Sequence, residues 1–393
     1  MLGAAPAKTR NPMFSIMPSV QRLVVLALVF GAMADAFAEP SAVFKSQKAS
    51  FRIVTLIPGL NHPWSVAFLP SGDILVTERP GTLRMIQNSV LLDSPITGLP
   101  PVSAKNDQGG LLDIALDPDF ADNHRLCLSY VARGEDGRGT EIACGELRGN
   151  HLHNVEVIFK ALPKSGTGRH FGSRLLFASD GYLYATLGER GYRPQAQNRA
   201  THPGSLVRIA RDGSIPPDNP FVGDPASQPE IYTYGNRNPQ GLVEHPVTRE
   251  LWMHEHGPRG GDELNRVIVG ANYGWPVISY GKEYFLPKPV GEGTHKEGMR
   301  QPVYYWDPSI APSGMAFYTG PDFPGWAGDL FIGSLKFGEL VRLELEDGQV
   351  INEERLLSRA FGRIRDVRQG PDGALYLLTD ERNGRLLKVI PQD

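Results

Sequence analysis

Residues 65–78 read SVAFLPSGDILVTE: a strand-like apolar run, a Pro-Ser-Gly-Asp turn, and a second apolar run. The phrase returns five times, as LLDIALDPDF (111–120), SRLLFASDGYLYATLGE (173–189), GLVEHPVTRELWMHE (241–255), GMAFYTGPDFPGWAGDLFIGS (314–334) and VRQGPDGALYLLTD (367–380). Each copy is two β-period runs joined by turn-forming residues. A lone hairpin cannot bury both of its faces, so each copy needs its neighbours. Six copies in series suit a radial array of small antiparallel sheets.

Composition agrees. The 393 residues include 44 Gly and 33 Pro, with few long helical patterns, which argues for an all-β chain. Length alone would allow two or three domains, but the repeat argues for one closed domain over residues 39–393. A formal net charge of -3 offers no nucleic-acid surface.

Residues 1–38 read as a secretory signal peptide. Lys8, Arg10 and Arg22 precede the apolar run 23–30, and Ala36-Phe37-Ala38 is a small-x-small cleavage signature. Met13 or Met17 could equally be the start. The apolar run is too short to span a bilayer comfortably, so the expectation is an exported, soluble chain in a bacterial periplasm. Cys127 and Cys144 lie in two strand-like runs joined by GEDGRG. They could bridge neighbouring strands or stay reduced and buried, and the sequence favours neither.

Three connections, 160–171, 190–229 and 280–308, are long for a compact β fold. They carry Gly, His, Arg, Tyr and Trp rather than low-complexity sequence, which points to function. In a radial fold such loops converge at the axis.

The candidate chemistry lies beside these loops. His170, in GRHFG before the third copy, could take a proton from a hydroxyl, or be a structural histidine bonded to a loop carbonyl. Glu189 follows in the same unit and could orient that histidine, or be a turn acid. Arg237, in YGNRNPQG, could polarise an oxygen or cap loop carbonyls. The string HEHGPRGGDE (254–263) gathers histidines and acids, but lacks the helical His-Glu-x-x-His spacing of zinc sites. Acids plus carbonyls freed by Gly and Pro suit a hard cation, Ca²⁺ before Zn²⁺. Arg363 and Arg365 flank Ile364, so strand alternation puts both on one face. With Lys336 they make a cationic floor for a multi-anionic ligand, or salt-bridge partners for Asp366 and other acids.

Taken in order, QGGLLDIALDPDF, RHFGSRLLF, YGNRNPQGL, HEHGPRGGDELN, NYGWP, SLKFGELVRL and GRIRDV resemble the soluble quinoprotein sugar dehydrogenases. The resemblance is to the aldose sugar dehydrogenase branch, which uses pyrroloquinoline quinone (PQQ), and it runs from about residue 56 to 390. It implies a six-bladed β-propeller. It also implies that Gln108, Tyr284, Lys336, Arg363 and Arg365 hold PQQ, a tricarboxylate. The carbonyls of Gly257 and Pro258 would bind the Ca²⁺ that touches the quinone. Glu263 and the Tyr273 carbonyl would bind a second, structural Ca²⁺. His170 matches the general base, Arg237 the residue beside the reacting carbonyl, and Glu189 a position that is aspartate in the glucose-oxidising branch. The implied reaction is oxidation of an aldose at C1 to a lactone, with hydride transfer to PQQ. Electrons then leave to an external acceptor, because no Cys-x-x-Cys-His haem motif is present. Two other classes fit a propeller with an axial metal: a Ca²⁺-dependent lactonase, which needs no cationic floor, and a non-catalytic carbohydrate-binding propeller.

Overall fold

Five of the six repeated phrases fold into the inner hairpin of their own sheet, whereas LLDIALDPDF supplies only the inner strand and turn of its blade, whose second strand starts at Arg125. The computed structural model describes residues 42–285 and 287–392, so the proposed signal peptide lies outside the described residues. Blade 1 comprises Pro63–Phe68, Ile74–Glu78, Thr82–Gln87 and Val90–Leu91. Blade 2 comprises Leu111–Leu116, Arg125–Gly134, Gly137–Arg148 and His151–Lys160. Blade 3 comprises Leu175–Phe177, Leu183–Thr186, Ser205–Ile209 and Ile231–Tyr234. Blade 4 comprises Pro239–Glu244, Leu251–Glu255, Asp262–Arg266 and Tyr304–Trp306. Blade 5 comprises Pro312–Phe317, Leu330–Ser334, Leu340–Glu346 and Gln349–Leu356.

Blade 6 takes Ile364–Gln369, Leu375–Thr379 and Gly384–Pro391 from the C-terminal end. It is completed by Ser50–Leu60 and then Val43–Lys45 from the N-terminal end. Arg52 opposes Ile390 and Leu60 opposes Gly384 across that seam. The fold is thus a six-bladed β-propeller whose ring is closed by antiparallel pairing between strands from the two ends of the chain. Val43–Lys45 forms the outer edge strand of this blade. The reason is Phe44, whose ring stacks 5.7 Å from Phe51 and lies 5.9 Å from Phe361.

Strands buried on both faces explain the continuous apolar runs. Leu111, Leu126 and Leu128 of blade 2 pack on Leu75 and Leu83 of blade 1. Trp252 and Trp306 of blade 4 meet Phe317 and Leu330 of blade 5. Phe331 and Trp326 of blade 5 meet Phe51 and Leu377 of blade 6. Cys127 and Cys144 are register partners in blade 2 and form a disulfide, Cα–Cα 4.0 Å, inside the blade 2–blade 3 core.

The antiparallel order positions the site. In every blade the start of the inner strand and the end of the second strand lie at the same end. Segments before the first and after the second therefore gather on one face. Below them the axis is filled by charge. Arg174 reaches Asp113 at 3.2 Å and Asp366 at 3.1 Å, and Arg368 reaches the same acids at 2.9 and 3.0 Å. Among the described residues no helix is long and apolar enough to cross a membrane.

Candidate active site

At the gathered face lies a cavity of about 530 Å³. Residues that precede inner strands line it: Gln108 for blade 2, Phe171 and Gly172 for blade 3, Asn238 for blade 4, Ala311 for blade 5 and Arg363 for blade 6. Residues that follow second strands line it too: Arg79, His256, Lys336 and Asp380. The lining thus carries four cationic side chains, Arg79, Lys336, Arg363 and Arg365, and one carboxylate, Asp380. Arg365 Nη2 donates to Asp380 Oδ2 at 2.7 Å, and Arg363 Nη2 donates to the same oxygen at 3.3 Å. Burial opposes a charge on Asp380, but Arg365, Arg363 and His62 hold its carboxyl well below the usual range. Asp366, the acid adjacent in sequence, turns instead to Arg174 and Arg368.

His170 sits beside this cavity, buried, with φ of 54°. Its backbone N–H donates to the cavity-lining Gln108 Oε1 at 2.7 Å. Its Nδ1 lies 2.7 Å from Glu189 Oε2. Burial would raise the Glu189 carboxyl, but the hydrogen bonds of His170 and the Gly191 N–H hold it below its ordinary value. An ionised Glu189 accepts, so Nδ1 carries the proton and Nε2 keeps its lone pair. Burial lowers the His170 pKa, against the raising effect of Glu189, so the ring is neutral near pH 7. Among the described residues Nε2 has no hydrogen-bond partner. The ring is thus oriented by a carboxylate rather than bonded to a loop carbonyl.

Arg237 joins the pair, since the Glu189 N–H donates to the Arg237 carbonyl at 2.9 Å. Its Nη1 donates to the carbonyls of His256 at 3.0 Å and Gly257 at 2.9 Å, and its Nη2 to the Tyr284 hydroxyl at 3.2 Å. Tyr284 is half exposed and lies outside the cavity lining.

The HEHGPRGGDE string divides its acids and histidines. Buried His254 packs against Gly241, where any side chain would collide with its ring. His256 Nε2 lies 2.5 Å from the Pro312 carbonyl, so it donates there, and burial keeps the ring neutral. Asp262 accepts from the Gly257 N–H at 2.8 Å and from Ser309 Oγ at 2.6 Å. No cluster of three or more His, Cys, Asp or Glu able to hold a metal occurs among the described residues. Glu255 and Glu263 remain, opposite each other in the ladder of blade 4. Burial pushes Glu255 up to about 7, and burial plus the charge of Glu255 pushes Glu263 well above its ordinary value. With Gly257 and Tyr273 they line a void of about 10 Å³, and the nearby Asn236 and Asn265 carboxamide oxygens are buried without donors. Among the described residues neither the Pro258 nor the Tyr273 carbonyl accepts a backbone hydrogen bond. Two mutually repelling carboxylates and spare oxygens fit a hard cation.

The sequence motifs did not point to Arg79 or Asp380. Their signal is positional: VTER and LLTDER end second strands, as SLK does at Lys336.

The glucose / sorbosone dehydrogenase family model matches residues 60–388. The chain belongs to that family. It is 44% identical to the aldose sugar dehydrogenase YliI of Escherichia coli strain K12, over 90% of this chain and 96% of that protein. The apo crystal structure of the soluble aldose sugar dehydrogenase from Escherichia coli superposes with a TM-score of 0.84 at 45% identity, covering 87% of this chain and 100% of that one. The PQQ-bound aldose sugar dehydrogenase of Streptomyces coelicolor gives 0.71 at 29% identity, covering 87% and 98%. This glucose / sorbosone dehydrogenase homologue is accordingly a sugar dehydrogenase, an oxidoreductase. The lactonase and the non-catalytic binding readings fall away.

Proposed function

We propose that the chain oxidises aldoses at C1 to lactones, with PQQ and Ca²⁺ as cofactors and an external electron acceptor. The observation that carries this reading is the cationic cavity with a neutral, carboxylate-oriented histidine at its edge. Four cationic side chains against one carboxylate suit a tricarboxylate ligand, and Gln108, Asn238 and Gln240 offer neutral hydrogen-bonding groups. When bound, PQQ supplies the hydride acceptor and Ca²⁺ the Lewis acid. The protein supplies the rest. His170 Nε2 takes the C1 hydroxyl proton, and Glu189 fixes the tautomer and stabilises the resulting imidazolium. Arg237 keeps a fixed positive charge beside the reacting centre. Lys336, Arg363 and Arg365, joined by Arg79, hold the cofactor carboxylates, and Tyr284 bounds the site over Arg237. The Gly257 and Pro258 carbonyls would hold the catalytic Ca²⁺, the former with one lone pair already given to Arg237. Glu263 and the Tyr273 carbonyl, beside Glu255, would hold the second.

The chain would work in the periplasm after removal of residues 1–38, which also places its acceptor there. The test is an absorption spectrum of the purified chain titrated with PQQ and Ca²⁺. A bound quinone band that bleaches or shifts on adding an aldose supports the reading. Failure to bind PQQ, or a band that no aldose alters, would overturn it.

A further inference from the structure

Arg193 and Glu283 are 90 residues apart, yet they meet outside the cavity in a two-pronged ion pair. Nη1 donates to Oε1 at 2.7 Å and Nη2 to Oε2 at 2.8 Å. Arg193 opens the 3₁₀ turn Arg193–Gln197 of blade 3, and Glu283 lies in the connection within blade 4. The residue after Glu283 is Tyr284, whose hydroxyl holds Arg237 Nη2. Both guanidiniums also share one ring: Arg193 lies 5.2 Å and Arg237 5.3 Å from the centroid of Trp275. Gln197, at the end of the same turn, donates to the Trp275 carbonyl at 2.7 Å. The NYGWP motif thus has its indole under both arginines.

We propose that Arg193 and Glu283 are a positioning pair that fixes Arg237 through Tyr284 and Trp275. The proposal rests on the reading of Arg237 as catalytic. The pair reaches Arg237 through Tyr284 and Trp275, so its effect on turnover is indirect. Exposed ion pairs usually contribute little. This one is bidentate and partly shielded, with side chains 38% and 26% exposed. It also answers a local electrostatic problem. Two cations over one ring repel each other, and Glu283 neutralises the outer one. Lysine cannot replace Arg193, because an ammonium makes no planar fork and stacks less well.

Three variants test the pair: Arg193→Lys, Glu283→Gln, and the reversed Arg193→Glu/Glu283→Arg. The first readout needs no cofactor. The Glu283 N–H, bonded to the Lys288 carbonyl at 2.9 Å, reports local order by hydrogen exchange. Each single variant should speed exchange there about tenfold while blade amides stay protected. With PQQ and Ca²⁺ added, each should lower kcat about tenfold with little change in KM, as expected for a misplaced catalytic group. The reversed pair restores the fork but not the stacking on Trp275, so it should recover the exchange protection and only part of kcat. Unchanged exchange in the single variants would overturn the proposal. So would faster exchange without any loss of kcat. If the wild-type chain oxidised no aldose with PQQ present, the functional reading would fall, and with it the catalytic part of this proposal. The exchange result would still decide whether the pair orders Tyr284.

Discussion

His170 has a left-handed φ and is held at two points, the backbone N–H by Gln108 and the ring by Glu189. As the base, it should be replaceable without loss of the fold. His170→Asn, which tolerates a positive φ, and His170→Ala should both bind PQQ, yet lose turnover by roughly 10²–10⁴-fold. Full activity in either would remove His170 from the mechanism. The pH dependence has a definite sign. His170 must be neutral to accept a proton, and burial holds its pKa below the ordinary value of about 6.5. The acid limb of kcat/KM should therefore fall below about pH 6.5. Glu189 raises that pKa, so Glu189→Gln should move the limb to still lower pH while reducing kcat. A limb that moved upward would contradict the assigned geometry.

At the scale of elements, blade 2 carries the clearest stability test. The Cys127–Cys144 disulfide closes a short segment inside a buried core. Cys127→Ser/Cys144→Ser should lower unfolding free energy by about 3 kcal/mol, measured by denaturant titration. Turnover should stay near wild type, since the bridge does not line the cavity. Gly110 makes a second test. Its φ is 146°, and a methyl there would collide with the carbonyl of Arg79. Gly110→Ala should cost at least about 2 kcal/mol and weaken PQQ binding by moving Arg79. The hairpins themselves were legible in sequence, because period-two apolar runs and turn residues are local features. His170, Glu189, Arg237, Lys336, Arg363 and Arg365 are legible because each sits at a strand boundary, whereas Gln108 is legible only through the family resemblance. Arg79 and Asp380 are not legible, because VTER and LLTDER look like ordinary solvent-facing charge until the blades are superposed. The pairing of Arg193 with Glu283 depends on two loops meeting in space, which no local pattern encodes. The same holds for Asp380 displacing Asp366 as the partner of Arg365.

For the whole molecule, closure and charge placement matter most. Ser50–Leu60 completes blade 6, so its removal leaves Gly384–Pro391 as an unpaired edge and opens the core around Phe51. A chain lacking residues 42–60 should give no cooperative unfolding transition, whereas one lacking only 42–45 should keep one. The paired charges of Arg174, Arg368, Asp113 and Asp366 fill the axis below the cavity, so the site opens to one face. Above them the lining carries net positive charge on a chain whose formal charge is -3, a placement that suits an anionic cofactor rather than general surface attraction. The measurement that bears most directly on this account is dye-linked oxidation of a panel of aldoses by the purified chain, with and without PQQ and Ca²⁺. The account predicts activity that appears only when both are added. No aldose oxidation under any of these conditions, together with no PQQ binding by titration, would contradict it.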